Sequence, residues 1–124
     1  DGNVAVGTSA GQTTVDVDNA VLIGKQAGTG NLTSAADGVI AIGFEAMKVH
    51  TTGARNMAIG YAAMNDTDAG STSLGSSDNI FMGYNAAAGT WTDAATNGNV
   101  GIGSYVMDAA MDGALYNTAV GATL

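Results

Sequence analysis

This 124-residue sequence predicts an all-β chain, a parallel β-solenoid of about seven coils, and three observations lead there. A five-residue phrase, Asn-x-Ala-Ile/Val-Gly in its strict form, returns seven times and ends on Gly7, Gly24, Gly43, Gly60, Gly83, Gly103 and Gly121. The intervals between those glycines are 17, 19, 17, 23, 20 and 18 residues, while the phrase keeps its own length. Within it, large and small apolar residues alternate with the period of two that a strand imposes. Recurrence at such an interval marks a stack in which each unit leans on its neighbours.

The first copy is Asn3-Val-Ala-Val-Gly7. Two looser copies follow, Ala20-Val-Leu-Ile-Gly24 and Val39-Ile-Ala-Ile-Gly43, in which the register of Asn is held by Ala20 and Val39. The Asn-led phrase returns at Asn56–Gly60, at Asn79–Gly83 with Phe81 and Met82 in the Ala and Ile/Val places, at Asn99–Gly103 with Gly101 in the Ala place, and at Asn117–Gly121. One residue before each glycine stand Val6, Ile23, Ile42, Ile59, Met82, Ile102 and Val120; three before it stand Val4, Val21, Ile40, Met57, Ile80, Val100 and Thr118. These form two columns on one face of the stack, expected to fill the coil's own core. Between them lie Ala5, Leu22, Ala41, Ala58, Phe81, Gly101 and Ala119, mostly small and facing the other way. That second face is expected to receive a close-approaching partner.

Each phrase glycine is expected to turn the chain through a conformation closed to residues with a Cβ. Three residues later a second small column follows: Ala10, Ala27, Ala46, Ala63, Ala86, Val106 and Leu124. The asparagines Asn3, Asn56, Asn79, Asn99 and Asn117 suit a hydrogen-bonded ladder of stacked amides. The intervening segments are rich in Ser, Thr, Asp, Asn and Gly and read as turns and solvated returns. Seven strands stacked at the usual spacing span only about 30 Å. So thin a rod gains from oligomerisation.

Composition narrows the function classes. The absence of cysteine excludes disulfides and thiolate chemistry. A net charge of −8, from eleven acidic and three basic residues, repels a phosphate backbone and argues against nucleic acid as a partner. No apolar run reaches transmembrane length, so membrane insertion is not expected. The chain is read as a single solenoid domain over residues 1–124, a piece of a longer fibre.

Little in the sequence carries chemistry. His50, the sole histidine, sits beside Thr51 and Thr52 and reads as a solvated loop residue. Asp16-Val-Asp18 and Asp66-Thr-Asp68 have a spacing that calcium loops use, but the glycine and distal glutamate of such loops are missing. Turn aspartates explain them more simply, and no cofactor, metal or catalytic residue is assigned. Phe44, Tyr61 and Tyr84 each follow a phrase glycine and line up as a ladder on the surface or between chains. Trp91, between two threonines, reads as a contact residue for a sugar or protein partner, with Tyr61 and Tyr84 as further contacts.

The phrase as it stands in Asn56-Met-Ala-Ile-Gly-Tyr-Ala-Ala63 and Asn3-Val-Ala-Val-Gly-Thr-Ser-Ala10 resembles the head repeats of trimeric autotransporter adhesins. It is equally similar to the Asn-Thr-Ala-Val-Gly arrays of phage tail-fibre and virion structural proteins, matched literally at Asn117–Gly121. The resemblance implies a left-handed β-roll and a homotrimer displayed on a virion or extracellular cell surface for host attachment. The repeat here is longer than adhesin heads usually show, which favours the fibre branch. The resulting expectation is a non-enzymatic segment of a trimeric fibre that supports attachment to a receptor or glycan. The alternative is a subunit of a self-assembling extracellular filament. Ice binding on a flat face, and enzymatic activity, rank below both.

Overall fold

The computed structural model describes residues 1–67, 75–92 and 94–123. Seven three-residue strands carry the seven phrases: β1 (Val4–Val6), β2 (Val21–Ile23), β3 (Ile40–Ile42), β4 (Met57–Ile59), β5 (Ile80–Met82), β6 (Val100–Ile102) and β7 (Thr118–Val120). They form one parallel sheet in chain order, β1 to β7. Register follows the phrase without a slip, as in Ile40↔Met57 and Ile80↔Val100. The architecture is a parallel β-solenoid, with six turns of chain linking the seven strands.

Each strand stops after three residues because a glycine follows it with φ between +127 and +147. A Cβ at Gly7 would lie 2.7 Å from the Gly24 carbonyl oxygen in the next coil, so both the angle and the space require glycine there.

Past that corner the axial hydrogen bonding continues although the chain has left the strand. Residues two and four beyond the phrase glycine adopt left-handed φ, including Glu45 (+54), Ala62 (+51), Met47 (+51), Met64 (+48) and Ala87 (+52). Alternating hands of backbone turn successive peptide groups along the stacking axis. Ala62 N donates to Phe44 O in the coil before (2.8 Å), and Met64 N donates to Ala86 O in the coil after (2.9 Å). Left-handed residues with a Cβ cost about 1–2 kcal/mol each; the inter-coil bonds offset that cost.

The interior reverses the expected assignment of faces. The middle residues of β2 to β6, namely Leu22, Ala41, Ala58, Phe81 and Gly101, are buried. Their large neighbours point outward, with Ile23 36 % and Ile102 41 % exposed. The reason is cross-section. A coil this short encloses room for one inward side chain per strand, and a three-residue strand supplies one inward residue only by pointing its middle residue in. The opposite wall is Ala27, Ala46, Ala63, Ala86 and Val106, all fully buried, with Leu32, Val39, Met47 and Met64 filling between. Leu124 lies outside the described residues.

Where one coil places a large residue inward, the next makes room. Phe81 is fully buried, packing edge-to-face on Trp91 at 6.2 Å and 70°. A Cβ on Gly101, its register partner in β6, would lie 2.6 Å from the Phe81 ring.

Candidate interaction surface

The corner before each strand carries a polar spine. The Asn79 backbone N–H and side-chain Nδ2 both donate to Asn56 Oδ1 at 3.0 Å. Asn99 does the same to Asn79 Oδ1 (3.0 and 3.1 Å), and Asn117 to Asn99 Oδ1 (2.9 and 3.0 Å). Each Nδ2 also reaches a return-segment carbonyl: Ser76 O from Asn56 (2.6 Å), Thr96 O from Asn79 (2.7 Å) and Ala114 O from Asn99 (2.9 Å). Asn56, Asn79 and Asn99 are buried, which makes these bonds costly to lose. Asn3 stands apart from this run, bonding instead to Val17 O (2.6 Å) and the Ala20 N–H (2.8 Å). Across the two loose copies Ala20 and Val39 occupy the register as fully buried apolar residues.

His50 closes the lower end of the continuous spine and corrects the solvated-loop reading, for it is fully buried. Its Nε2 lies 2.8 Å from the Gly53 carbonyl oxygen and 3.3 Å from Asn56 Nδ2. Its Nδ1 lies 3.0 Å from Thr67 Oγ1. The polar neighbours Thr51 and Thr52 concealed a residue that turns inward beneath Asn56.

Trp91 is likewise not a surface contact. It is fully buried in the coil between Gly83 and Gly103, packed edge-on against Phe81. Sequence reasoning placed it outside because both flanking threonines are polar; Thr90 and Thr92 are indeed exposed.

What remains on the surface is a continuous apolar band. The two outward columns, three residues and one residue before the phrase glycine, run the length of the sheet from Val4 and Val6 to Thr118 and Val120. No strand residue is charged. The residues after Gly43, Gly60 and Gly83, joined by Tyr105, extend the band around the corner as an aromatic column. Phe44 stacks on Tyr61 (4.9 Å, 20°), Tyr61 on Tyr84 (5.1 Å, 17°), and Tyr84 meets Tyr105 edge-on (5.3 Å, 67°). Lys25 Nζ caps the lower end, 5.9 Å from the Phe44 ring centroid. The sequence did not indicate Tyr105, which stands one place later in its copy than the other aromatics.

Charge lies almost wholly in the returns. Arg55 pairs with Asp78 through two bonds of 2.6 and 2.9 Å between adjacent coils. The hydrogen bond from Arg55, more than its charge, holds the Asp78 carboxyl below its ordinary range against some desolvation, and Asp78 raises Arg55 in turn. Lys48 pairs with Glu45 at 2.9 Å. Asp66 accepts from Thr90 Oγ1 (2.5 Å), and Asp37 accepts the Asp18 N–H (2.7 Å), as turn aspartates do. Asp68 of the second candidate calcium pair lies outside the described residues. Among the described residues no three acidic or histidine side chains converge on one point, and no pocket opens.

In comparison with known proteins, no family model, no curated protein and no solved structure matches the chain. The surface itself therefore carries the functional argument.

Proposed function

We propose that this chain is a structural, non-enzymatic segment of a homotrimeric fibre, of the phage tail-fibre or surface-adhesin kind, that supports attachment to a host or surface. One observation carries the reading: an uncharged band of valine, isoleucine and methionine columns along the strands of the solenoid, with the described acidic residues confined to the segments between strands. Val4, Val6, Ile23, Ile80, Ile102 and Val120 are each exposed by a third or more. A contiguous strip of this kind on a thin rod favours burial against copies of the same chain. The net charge of −8 disfavours side-by-side contact through the acidic returns and leaves the band as the face where copies meet. Three rods meeting there would place their returns outward, where repeated weak contacts gain avidity by multivalency.

Sedimentation equilibrium tests this. The wild-type chain should sediment as a trimer, and Ile102→Asp, which places a carboxylate in the band, should shift it to monomer while circular dichroism keeps the β signature. A wild-type chain that stays monomeric at every concentration would remove the proposal.

A further inference from the structure

We propose that Tyr84 and Tyr105 form an oxidative cross-linking site, joining as a dityrosine that covalently ties one coil of the solenoid to the next. This goes beyond the fibre reading and does not depend on it, since both residues belong to one chain.

The geometry carries the argument. Tyr84 follows β5 and Tyr105 follows β6, and their rings are 5.3 Å apart at 67°. The Tyr105 N–H donates to the Tyr84 carbonyl (2.8 Å), so the two backbones are clamped at this point. In a dityrosine the new bond joins the carbons next to the two hydroxyl-bearing carbons. The edge-to-face contact at 5.3 Å sets the rim of one ring against the other, and rotation of these exposed rings about their side-chain bonds brings the two reacting carbons together. Tyr61 and Tyr84, stacked face on face at 17°, present ring faces where coupling needs ring edges. Both members of the favoured pair are open to an oxidant, at 45 % and 39 % exposure. The chain has no cysteine, so a phenol coupling supplies the covalent staple that a disulfide cannot.

The oxidant is a peroxide acting through a haem peroxidase. Each tyrosine gives up one electron and its phenolic proton to become a phenoxyl radical, and the two radicals pair to form the carbon–carbon bond. The hydrogen displaced from each ring carbon moves to the oxygen and restores the phenol. The two electrons and two protons released reduce one hydrogen peroxide to two waters.

The test uses the full chain, treated with hydrogen peroxide and a haem peroxidase, then read by dityrosine fluorescence and by mass spectrometry of the digested protein. The expected result is a cross-linked Tyr84–Tyr105 peptide within one chain, two hydrogens lighter, and a raised Tm. Y84F and Y105F, which keep the rings, should each lose both the fluorescence and the peptide; Y61F should keep them. Tyr116 is the internal control, because at 80 % exposure it is the most open tyrosine. Coupling through Tyr116, coupling only between chains, or no dityrosine at all would overturn the proposal.

Discussion

Replacing Asn79 by alanine should be among the most damaging single changes the chain can suffer. The amide sits fully buried in the middle of the spine. Its Nδ2 donates to Asn56 Oδ1 (3.0 Å), Thr96 O (2.7 Å) and Ser77 O (3.1 Å), and its Oδ1 accepts from both the backbone N–H and the Nδ2 of Asn99 (3.0 and 3.1 Å). Alanine leaves the Thr96 carbonyl and the Asn99 N–H without these partners in a dry interior. Each buried polar group so stranded costs about 1–3 kcal/mol, and the total for the substitution is about 3–5 kcal/mol. The same change at Asn117, whose residue is exposed and whose Oδ1 takes no bond from a further coil among the described residues, should cost about 1 kcal/mol. Urea unfolding measures both, the midpoint shifting at constant slope if the denatured state is unchanged. Equal losses at Asn79 and Asn117, or a loss below about 1 kcal/mol at Asn79, would refute the claim that the ladder holds the coils together.

Three further predictions follow from the packing and the charges. Gly101→Ala should destabilise by about 1–3 kcal/mol through collision with the Phe81 ring, and adding Phe81→Leu should recover part of that loss in a double-mutant cycle. Ala87→Gly should be neutral or stabilising by up to about 1 kcal/mol because position 87 is left-handed. Ala58→Gly, at a buried strand position, should instead destabilise by about 0.5–1 kcal/mol in the same unfolding assay. The Asp78 carboxyl is lowered by Arg55, so the pair's contribution is present above the unfolded carboxylate value of about 3.9 and is lost as pH falls through the lower folded value. The stability difference between wild type and Arg55→Ala should thus be larger at neutral pH than in strong acid. It should also be small throughout, because the pair is exposed.

The strands and their register could be read from the sequence because both depend on local signals. Alternation fixes period two, and the glycines after Val6, Ile23, Ile42, Ile59, Met82, Ile102 and Val120 mark where each strand stops. The alanine column from Ala27 to Ala86 likewise announced a tight opposite wall. Which face points inward could not be read this way. Alternation separates Ala58 from Met57 and Ile59, but the interior cross-section decides between one inward side chain and two, and that depends on how the whole return folds. The left-handed backbone at Met47, Met64 and Ala87 left no local mark, since these residue types do not favour it. His50 and Trp91 were hidden for a related reason: hydroxyl-bearing neighbours signal a surface loop, whereas both side chains turn beneath that loop. The aromatic column was visible through Phe44, Tyr61 and Tyr84, and Tyr105 escaped because it joins from a different register.

The measurement that bears most directly on the account is a density map of the assembled particle at side-chain detail. The account predicts Leu22, Ala41, Ala58 and Phe81 inside each rod, with the Val6-to-Val120 column at the seam between three chains. A map with that column open to solvent in the assembled particle, or with the valines and isoleucines lining each rod's own interior, would contradict it.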